Sequence, residues 1–242
     1  MASVFRAEDI GTRKRNDQNR MFGAICDRYD LMNTLITFGR DRFWRRYLVR
    51  SSALPQWGRL LDVGTGTGHI AFEAMRTRPA ISAIAVDRNP RMIAVGRTHR
   101  GAERVRWCLA DALDLPFPNA TFDAVVSGYL VRNVIEIRRA FEEQMRVVKP
   151  GGRVVCLETS PPPRNILQPF VLIWIEMVIP LLGYFLTGDR AAYRYLAAST
   201  QQFMAPREVA SVMRGVGMRE VTCRRFMLGT QVICVGTRPR EQ

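Results

Sequence analysis

LLDVGTGTGHIA (residues 60–71) is a short apolar run that ends in three alternating glycines, Gly64, Gly66 and Gly68, and leads into a helix-forming stretch. Glycine lets the backbone turn sharply and approach a ligand closely, and the start of the next helix supplies free amide donors and positive potential. The stretch therefore predicts a buried strand, a ligand-binding loop and a helix. Further along the chain, a second apolar run ends at Asp87 in AIAVDRN. A carboxylate there can accept hydrogen bonds from both hydroxyls of a ribose, as in nucleoside-binding doubly wound folds.

Outward from this unit the same rhythm repeats. RLLDVG (59–64), ISAIAV (81–86), VRWCLA (105–110), FDAVVS (122–127) and GRVVCLE (152–158) read as strands, with helices near 68–78, 90–99 and 136–147 between them. Such alternation implies βαβ units and a parallel sheet with helices on both faces. PREVASVMRGVG then reads as an amphipathic helix, with Pro206 near its start and Gly217 beyond its end. REVTCRRFMLGTQVICVGTRP reads as two strands that resume the sheet. The expected fold is α/β: a doubly wound, mostly parallel, seven-stranded Rossmann-like sheet with N-terminal helices and a helical insertion before the last strands.

The 242 residues, 47% hydrophobic, are enough for one core and predict a single domain. Within it, residues 1–50 form a helical cap, 51–159 the ligand-binding core, 160–204 a hydrophobic helical insertion, and 205–242 the closing helix and strands. In the cap, Phe22, Ile25, Tyr29, Met32, Leu35 and Ile36 recur at helical spacing from about residue 17, and Gly39 breaks the run. Five cysteines scattered without CxxC spacing argue for a reducing compartment, without a disulfide framework or zinc site. Two histidines, His69 and His99, are too few for a His-based cluster, so no metal is expected. No apolar run of signal-peptide length opens the chain, which makes a cytoplasmic location the expectation. The net charge of +14 is almost all arginine and favours anionic partners, nucleic acid or an acidic membrane surface.

Gly66-Thr67-Gly68-His69-Ile70-Ala71 also satisfies a dinucleotide fingerprint, so a dehydrogenase must be weighed. Three features favour another ligand. Asp62 precedes the glycines, where a carboxylate could meet an amino group but would repel pyrophosphate. Asp111 and Ala112, after the third strand, offer partners for an adenine edge. No second domain carries a His or Tyr-Lys pair for hydride chemistry. Together these fit S-adenosylmethionine, which carries an ammonium, a sulfonium, a ribose and an adenine but no phosphate.

On these residues the chain resembles a class I S-adenosylmethionine-dependent methyltransferase, and more narrowly the ubiquinone/menaquinone biosynthesis C-methyltransferases. MFGAICDRYDLMNTLITFGRDRFWRR resembles the family's N-terminal motif, and YLVRNVIEIRRAFEEQMRVVKPGGRVVCLETSPP its Leu-Arg-Asn and Lys-Pro-Gly-Gly…Glu-x-Ser motifs. GDRAAYRYLAAST resembles the stretch that follows the family's insertion. The resemblance implies cofactor contacts at Thr67, Asp87, Asp111 and Ala112, and a backbone contact at Gly128, where some members carry serine. Tyr29, Asp30 and Asn33 are expected to close over the cofactor from the N-terminal helices, with helix capping and core packing as the competing roles. Asp41 stands where the family usually has histidine, which puts any role for that imidazole in doubt.

The implied reaction is methylation of a ring carbon of a prenylated quinol, with the menaquinone branch favoured. Arg132 and Asn133 follow the fourth strand at the carboxyl edge and are the candidate catalytic pair. A guanidinium stays charged, so Arg132 is expected to steady a phenolate or position a water, unless it pairs with Asp123 or Glu136. Competing readings are a methyltransferase for another lipophilic acceptor and a non-catalytic scaffold of a quinone-synthesis complex. Nucleic-acid methylation is disfavoured because SGYLVRN stands where an Asn/Asp-Pro-Pro-Tyr-type motif would be.

PFVLIWIEMVIPLLGYFL (169–186) is the most apolar stretch. Glu176 near its middle would cost about 2.5–3.5 kcal/mol in hydrocarbon. Strands on both sides belong to one sheet, so a crossing would strand part of it. The segment is expected to cover a lipid substrate and to touch the membrane surface, with Arg164, Arg190 and Arg194 near headgroups. A homo-oligomer is compatible with the sequence, which does not decide it.

Overall fold

The glycine-loop strand becomes β1 (Arg59–Val63), an interior strand of the sheet in a computed structural model that describes residues 2–187 and 190–240. The other strands are β2 (Ser82–Asp87), β3 (Val105–Leu109), β4 (Phe122–Gly128), β5 (Val148–Thr159), β6 (Arg219–Phe226) and β7 (Gln231–Thr237). They pair in the order β3-β2-β1-β4-β5-β7-β6. The pairs from β3 through β5 are parallel, and β7 lies antiparallel between β5 and β6. Strand order therefore reverses between β1 and β4, the place where open α/β sheets leave a ligand crevice at the strands' carboxyl ends.

Nine α-helices are assigned among the described residues: α1 (Ala2–Ile36), α2 (Asp41–Ser51), α3 (His69–Thr77), α4 (Pro90–Thr98), α5 (Ile137–Val147), α6 (Gln168–Ile173), α7 (Ile179–Thr187), α8 (Arg190–Gln201) and α9 (Pro206–Gly215). Local chemistry explains several of their ends. Asn89 caps α4 by accepting the Arg91 N–H at 3.0 Å, with Pro90 in the first turn. α9 opens on Pro206, and the Glu208 carboxylate takes the Ala205 N–H at 2.6 Å. Gly39 sits at φ 70° and returns its N–H to the Thr34 carbonyl at 2.7 Å, ending α1 as the sequence predicts. α1 begins at Ala2 rather than near residue 17, because the earlier residues show no apolar periodicity to read.

Each face of the sheet buries its own core. Phe122, Phe141, Val209 and Met213 pack beneath α5 and α9, whereas Trp44, Leu48, Leu60 and Ala74 pack beneath α2 and α3. A third, smaller core joins Ile25 and Met32 of α1 to Val171, Ile175, Ile179 and Tyr193 of the insertion. The N-terminal cap and the insertion, distant in sequence, thus form one roof.

The reading of the cysteines needs correction. Cys223 and Cys234 stand opposite each other on β6 and β7, 4.1 Å apart at Cα, and are joined by a disulfide. No CxxC spacing was needed, because hairpin register brought the two together. Cys26, Cys108 and Cys156 are free.

Two glycines fix the loop after β1 by close packing. A Cβ on Gly96 of α4 would overlap the Trp107 indole and stand 3.0 Å from the Thr67 carbonyl oxygen. A Cβ on Gly68 would overlap the same indole, and its φ of 90° is left-handed. Gly96→Ala is expected to cost about 1–3 kcal/mol by overpacking. Gly68→Ala should cost more, since left-handed strain of about 1–2 kcal/mol is added. Urea denaturation of the two variants checks that order.

Candidate functional site

Two adjoining cavities open at the carboxyl edge and share Tyr29, Gly64, Gly66, Gly128 and Tyr129 in their walls. The smaller, about 110 Å³, is lined by Asp87, Asn89, Met92, Asp111, Ala112, Leu113 and Asn133. The larger, about 340 Å³, runs from Thr65 and Thr67 past Arg132 and Thr159 to an apolar wall of Ile36, Phe170, Val171, Trp174 and Ile179. A small cavity with Asp87 and Asp111 in its wall, a shared neck and an apolar chamber thus lie in sequence.

Carboxylates organise the neck. Asp87 accepts the Gly66 N–H and the Asn89 N–H, each at 2.8 Å, and burial pushes its carboxyl up. Gly66 has φ 57° and no atom within 4 Å of where a Cβ would lie, so its backbone is open to a ligand. Asp111 takes the Leu113 N–H at 3.0 Å. Thr67 donates to Asp30 Oδ1 at 2.7 Å, linking the loop to α1. Tyr29, Asn33, Gly64, Gly66, Thr67, Asp87, Asp111, Ala112 and Gly128 therefore all line one or both cavities.

Asp62 and Gly68 line neither. Asp62 is fully buried beneath the loop, where Oδ2 accepts the Thr65 hydroxyl at 2.7 Å and the Ala71 N–H at 3.1 Å. It fastens the loop from below rather than meeting a ligand's amino group, since a strand-end side chain that points into the core cannot also face the crevice. Gly68 makes room for Trp107.

Arg132 reaches the larger cavity, paired neither with Asp123 nor with Glu136. Its Nη1 donates to Glu158 Oε1 and to Thr159 Oγ1, both at 2.9 Å, and its backbone N–H donates to Glu158 Oε2 at 3.1 Å. The guanidinium lies 5.3 Å from the Tyr129 ring centroid. Burial holds the Glu158 carboxyl above its ordinary value, although Arg132 and the Thr159 N–H pull the other way. Asp123 instead holds Lys149 at 2.7 Å.

Asn133 is placed apart from Arg132. It lines the smaller cavity, donates to the Tyr129 carbonyl at 2.8 Å and accepts from Tyr195 at 3.1 Å. Gln18 of α1 donates in turn to Tyr195 at 2.7 Å. Both ends of the amide are engaged, so the side chain ties α1 and α8 to the turn after β4.

Sequence reading missed Tyr129, Gln231 and the Arg45–Asp41 pair, all in the larger cavity wall. Tyr129 adopts φ 56° and donates its hydroxyl to Gln231 at 3.0 Å. Its place directly after β4 was the one available signal.

The apolar segment divides its faces. Val171, Trp174, Ile175 and Ile179 line the cavity, Phe170 lines its rim while 69% exposed, and Ile173, Met177, Leu181, Tyr184 and Phe185 face outward. A π-helical turn (Trp174–Val178) joins α6 to α7, and Glu176 within it accepts from Gln201 at 2.9 Å. Gln168–Leu186 is long and apolar enough to cross a membrane, yet β5 before it pairs with β7 after it. The Arg190 side chain lies outside the described residues.

Two measurements probe this construction. Arg132→Ala leaves the buried Glu158 without its counter-charge and should cost about 3–5 kcal/mol. Pairing Arg132→Met with Glu158→Gln should recover much of that loss, as read by chemical denaturation. Asp62 offers a pH test, because burial pushes its carboxyl up to about 7. The folded protein holds this proton up to about pH 7, while the unfolded chain releases it near pH 4. The unfolded state then binds fewer protons, so this group's contribution makes stability fall as pH rises from about 4 to 7. Asp62→Asn lacks the titration and should gain on the wild type across that window in pH-dependent unfolding.

Comparison with known proteins agrees with this geometry. Residues 11–238 match the family described as the ubiE/COQ5 methyltransferase family. The chain is 43% identical over 223 residues to the ubiquinone/menaquinone biosynthesis C-methyltransferase UbiE of Desulfotalea psychrophila, covering 92% of this chain and 91% of that one. It is 39% identical over 222 residues to the demethylmenaquinone methyltransferase of Thermus thermophilus, covering 90% of this chain and all of the relative. Among solved structures, the Haloferax volcanii complex of the Trm112 methyltransferase activator with a putative methyltransferase matches with TM-score 0.64 at 17% identity, over 90% of this chain and 98% of that one. A possible histamine N-methyltransferase of Thermotoga maritima matches with TM-score 0.62 at 19% identity, over 90% and 98%. These two likenesses concern the fold, which is that of S-adenosylmethionine-dependent methyltransferases. From the glycine loop to the returning strands, the chain belongs to the ubiE/COQ5 methyltransferase family.

Proposed function

We propose that this methyltransferase moves a methyl group from S-adenosylmethionine to a ring carbon of a reduced, prenylated quinone, with demethylmenaquinol ahead of the ubiquinone-pathway benzoquinol. One observation carries the reading. The cavity that begins at the glycine loop ends in an apolar wall supplied by Phe170, Val171, Trp174 and Ile179, room suited to a hydrophobic ring and the start of its tail. Relatives named for demethylmenaquinone and for ubiquinone/menaquinone methylation support the same substrate class.

The cofactor supplies an electrophilic methyl group on a sulfonium. Asp87 would take its ribose hydroxyls, Asp111 and Ala112 its adenine edge, and the open Gly66 backbone, with Gly128 in the same cavity wall, its central portion. The reacting carbon of a quinol gains nucleophilicity as a hydroxyl proton leaves and charge spreads into the ring. Arg132, Thr159 and Gln231 put polar groups in the wall of an otherwise apolar chamber, where a fixed donor steadies a developing phenolate more than it would in water. Because Arg132 is paired with Glu158, it acts as a positioned donor rather than a free cation. Trp174 and its apolar neighbours keep water from the reacting carbon.

The exposed face of the insertion extends the reading. Ile173, Leu181 and Phe185 project beside the chamber in a chain of net charge +14, which suits a peripheral contact with an anionic membrane surface from which a long-tailed quinol is drawn.

The test is transfer of labelled methyl from S-adenosylmethionine into extracted quinone lipids, followed by identification of the product. Label on a ring carbon of a demethylmenaquinol is expected, and label on a phospholipid amine, a phenolic oxygen or nothing at all would overturn the reading. Trp174→Ala should reduce turnover on both long-tailed and tail-less quinols. Phe185→Asp should reduce it only on quinol embedded in anionic vesicles.

A further inference from the structure

Asp30 on α1, His69 in the first turn of α3 and His99 at the C-terminal end of α4 meet at one point beside the glycine loop. The Nε2 atom of His69 lies 3.0 Å from Asp30 Oδ2, and that of His99 lies 3.3 Å from the same oxygen. The three ligand-type atoms are all within 4.8 Å of one another. Both Nε2 atoms are sealed from solvent, and neither has a well-aligned hydrogen bond. Three electron-rich atoms gathered this closely favour a cation among them, either a shared proton or a metal ion.

The dimensions suit a metal. Zinc bonds of about 2.0–2.1 Å to nitrogen and oxygen, arranged tetrahedrally, place neighbouring donors about 3.3 Å apart. The surroundings suit one as well. Thr67 donates to the other carboxylate oxygen, Oδ1, and so orients the ligand from outside, as partners of metal-bound carboxylates do. Phe72 packs edge-on against both imidazoles, at 6.2 Å from His69 and 5.9 Å from His99, with Trp107 behind it. That apolar backing lowers the local dielectric and limits solvent access. Imidazole nitrogens favour zinc and its transition-metal neighbours over calcium or magnesium, which prefer oxygen donors.

We propose that Asp30, His69 and His99 hold one divalent transition-metal ion, zinc by preference, as a structural clasp. Three protein ligands leave a further coordination position for a water or another small donor. The clasp ties α1, the main beam of the roof, to α3 and α4, which begin just after the ligand-holding ends of β1 and β2. It therefore fastens the roof across the cofactor cleft, with Asp30 and His69 standing in the wall of the larger cavity. His99 lines neither cavity, and the inference does not depend on which quinone is the substrate.

The experiment uses the untagged full chain, stripped with chelator and titrated with zinc by calorimetry and with cobalt by visible absorption. One equivalent is expected to bind, with the ligand-field bands of a nitrogen/oxygen site and no thiolate charge-transfer band from a free cysteine. His99→Ala should weaken zinc binding by at least about 100-fold, the upper end of what loss of an outer-shell partner alone produces. Zinc should raise the thermal midpoint of the wild type and leave that of His99→Ala unmoved. His99→Gln serves if the alanine variant does not fold, with circular dichroism and cofactor binding as checks on both. Failure to retain a stoichiometric ion would show that the three groups share only protons and would overturn the proposal. Equal affinity in the His99 variants, or a thiolate band, would place the ion elsewhere and overturn it too.

Discussion

Glu158 ends β5 with both carboxylate oxygens turned to the chain itself: they take the Arg132 and Thr159 N–H groups and the Arg132 guanidinium. The same constraint recurs along the edge. Asp62 near the end of β1 holds the Ala71 N–H, Asp87 at the end of β2 holds those of Gly66 and Asn89, and Asp111 after β3 holds that of Leu113. A buried backbone donor must find a partner, and each of these side chains supplies an acceptor oxygen for one. Each loop at the crevice is fastened in this way to the strand before it or beside it. The cavities are what remains between loops so held.

Over that edge lies a roof made from two separated parts of the chain. α1 and the insertion bury Ile25, Met32, Val171, Ile175 and Ile179 against each other, and Gln18, Tyr195 and Asn133 link the roof to the turn after β4 by successive hydrogen bonds. The insertion is apolar for two reasons at once. One face completes this small core and the chamber wall, while the other stays exposed. Glu176, which argued against hydrocarbon in the sequence, is held by Gln201 of α8.

Much of the site was legible because residue type and strand position agreed. Gly64, Gly66, Thr67, Asp87, Asp111, Ala112 and Gly128 all sit at or just after strand ends, and all line the cavities. Asp62 and Gly68 flank the same loop yet line neither cavity, one buried beneath it and one against Trp107. The pattern marks the loop without telling its two sides apart. Spacing was likewise silent about Cys223 and Cys234, which hairpin register places opposite each other. Asn133 follows Arg132 directly, yet one side chain lies in the chamber and the other beneath α8.

By itself, the sequence determined the alternating strands and helices, the glycine loop and its acidic partners, and the family motifs. These are set by local backbone preference and by apolar periodicity, which act over a few residues. Only the tertiary structure decided that Arg132 is neutralised by Glu158, that the apolar segment has a chamber face and an outer face, and that Asp30 meets both histidines. Those outcomes depend on groups far apart in the chain. Their contacts follow from how the sheet's order and the packing of α1 bring separate loops to one edge, and no local pattern encodes that distance.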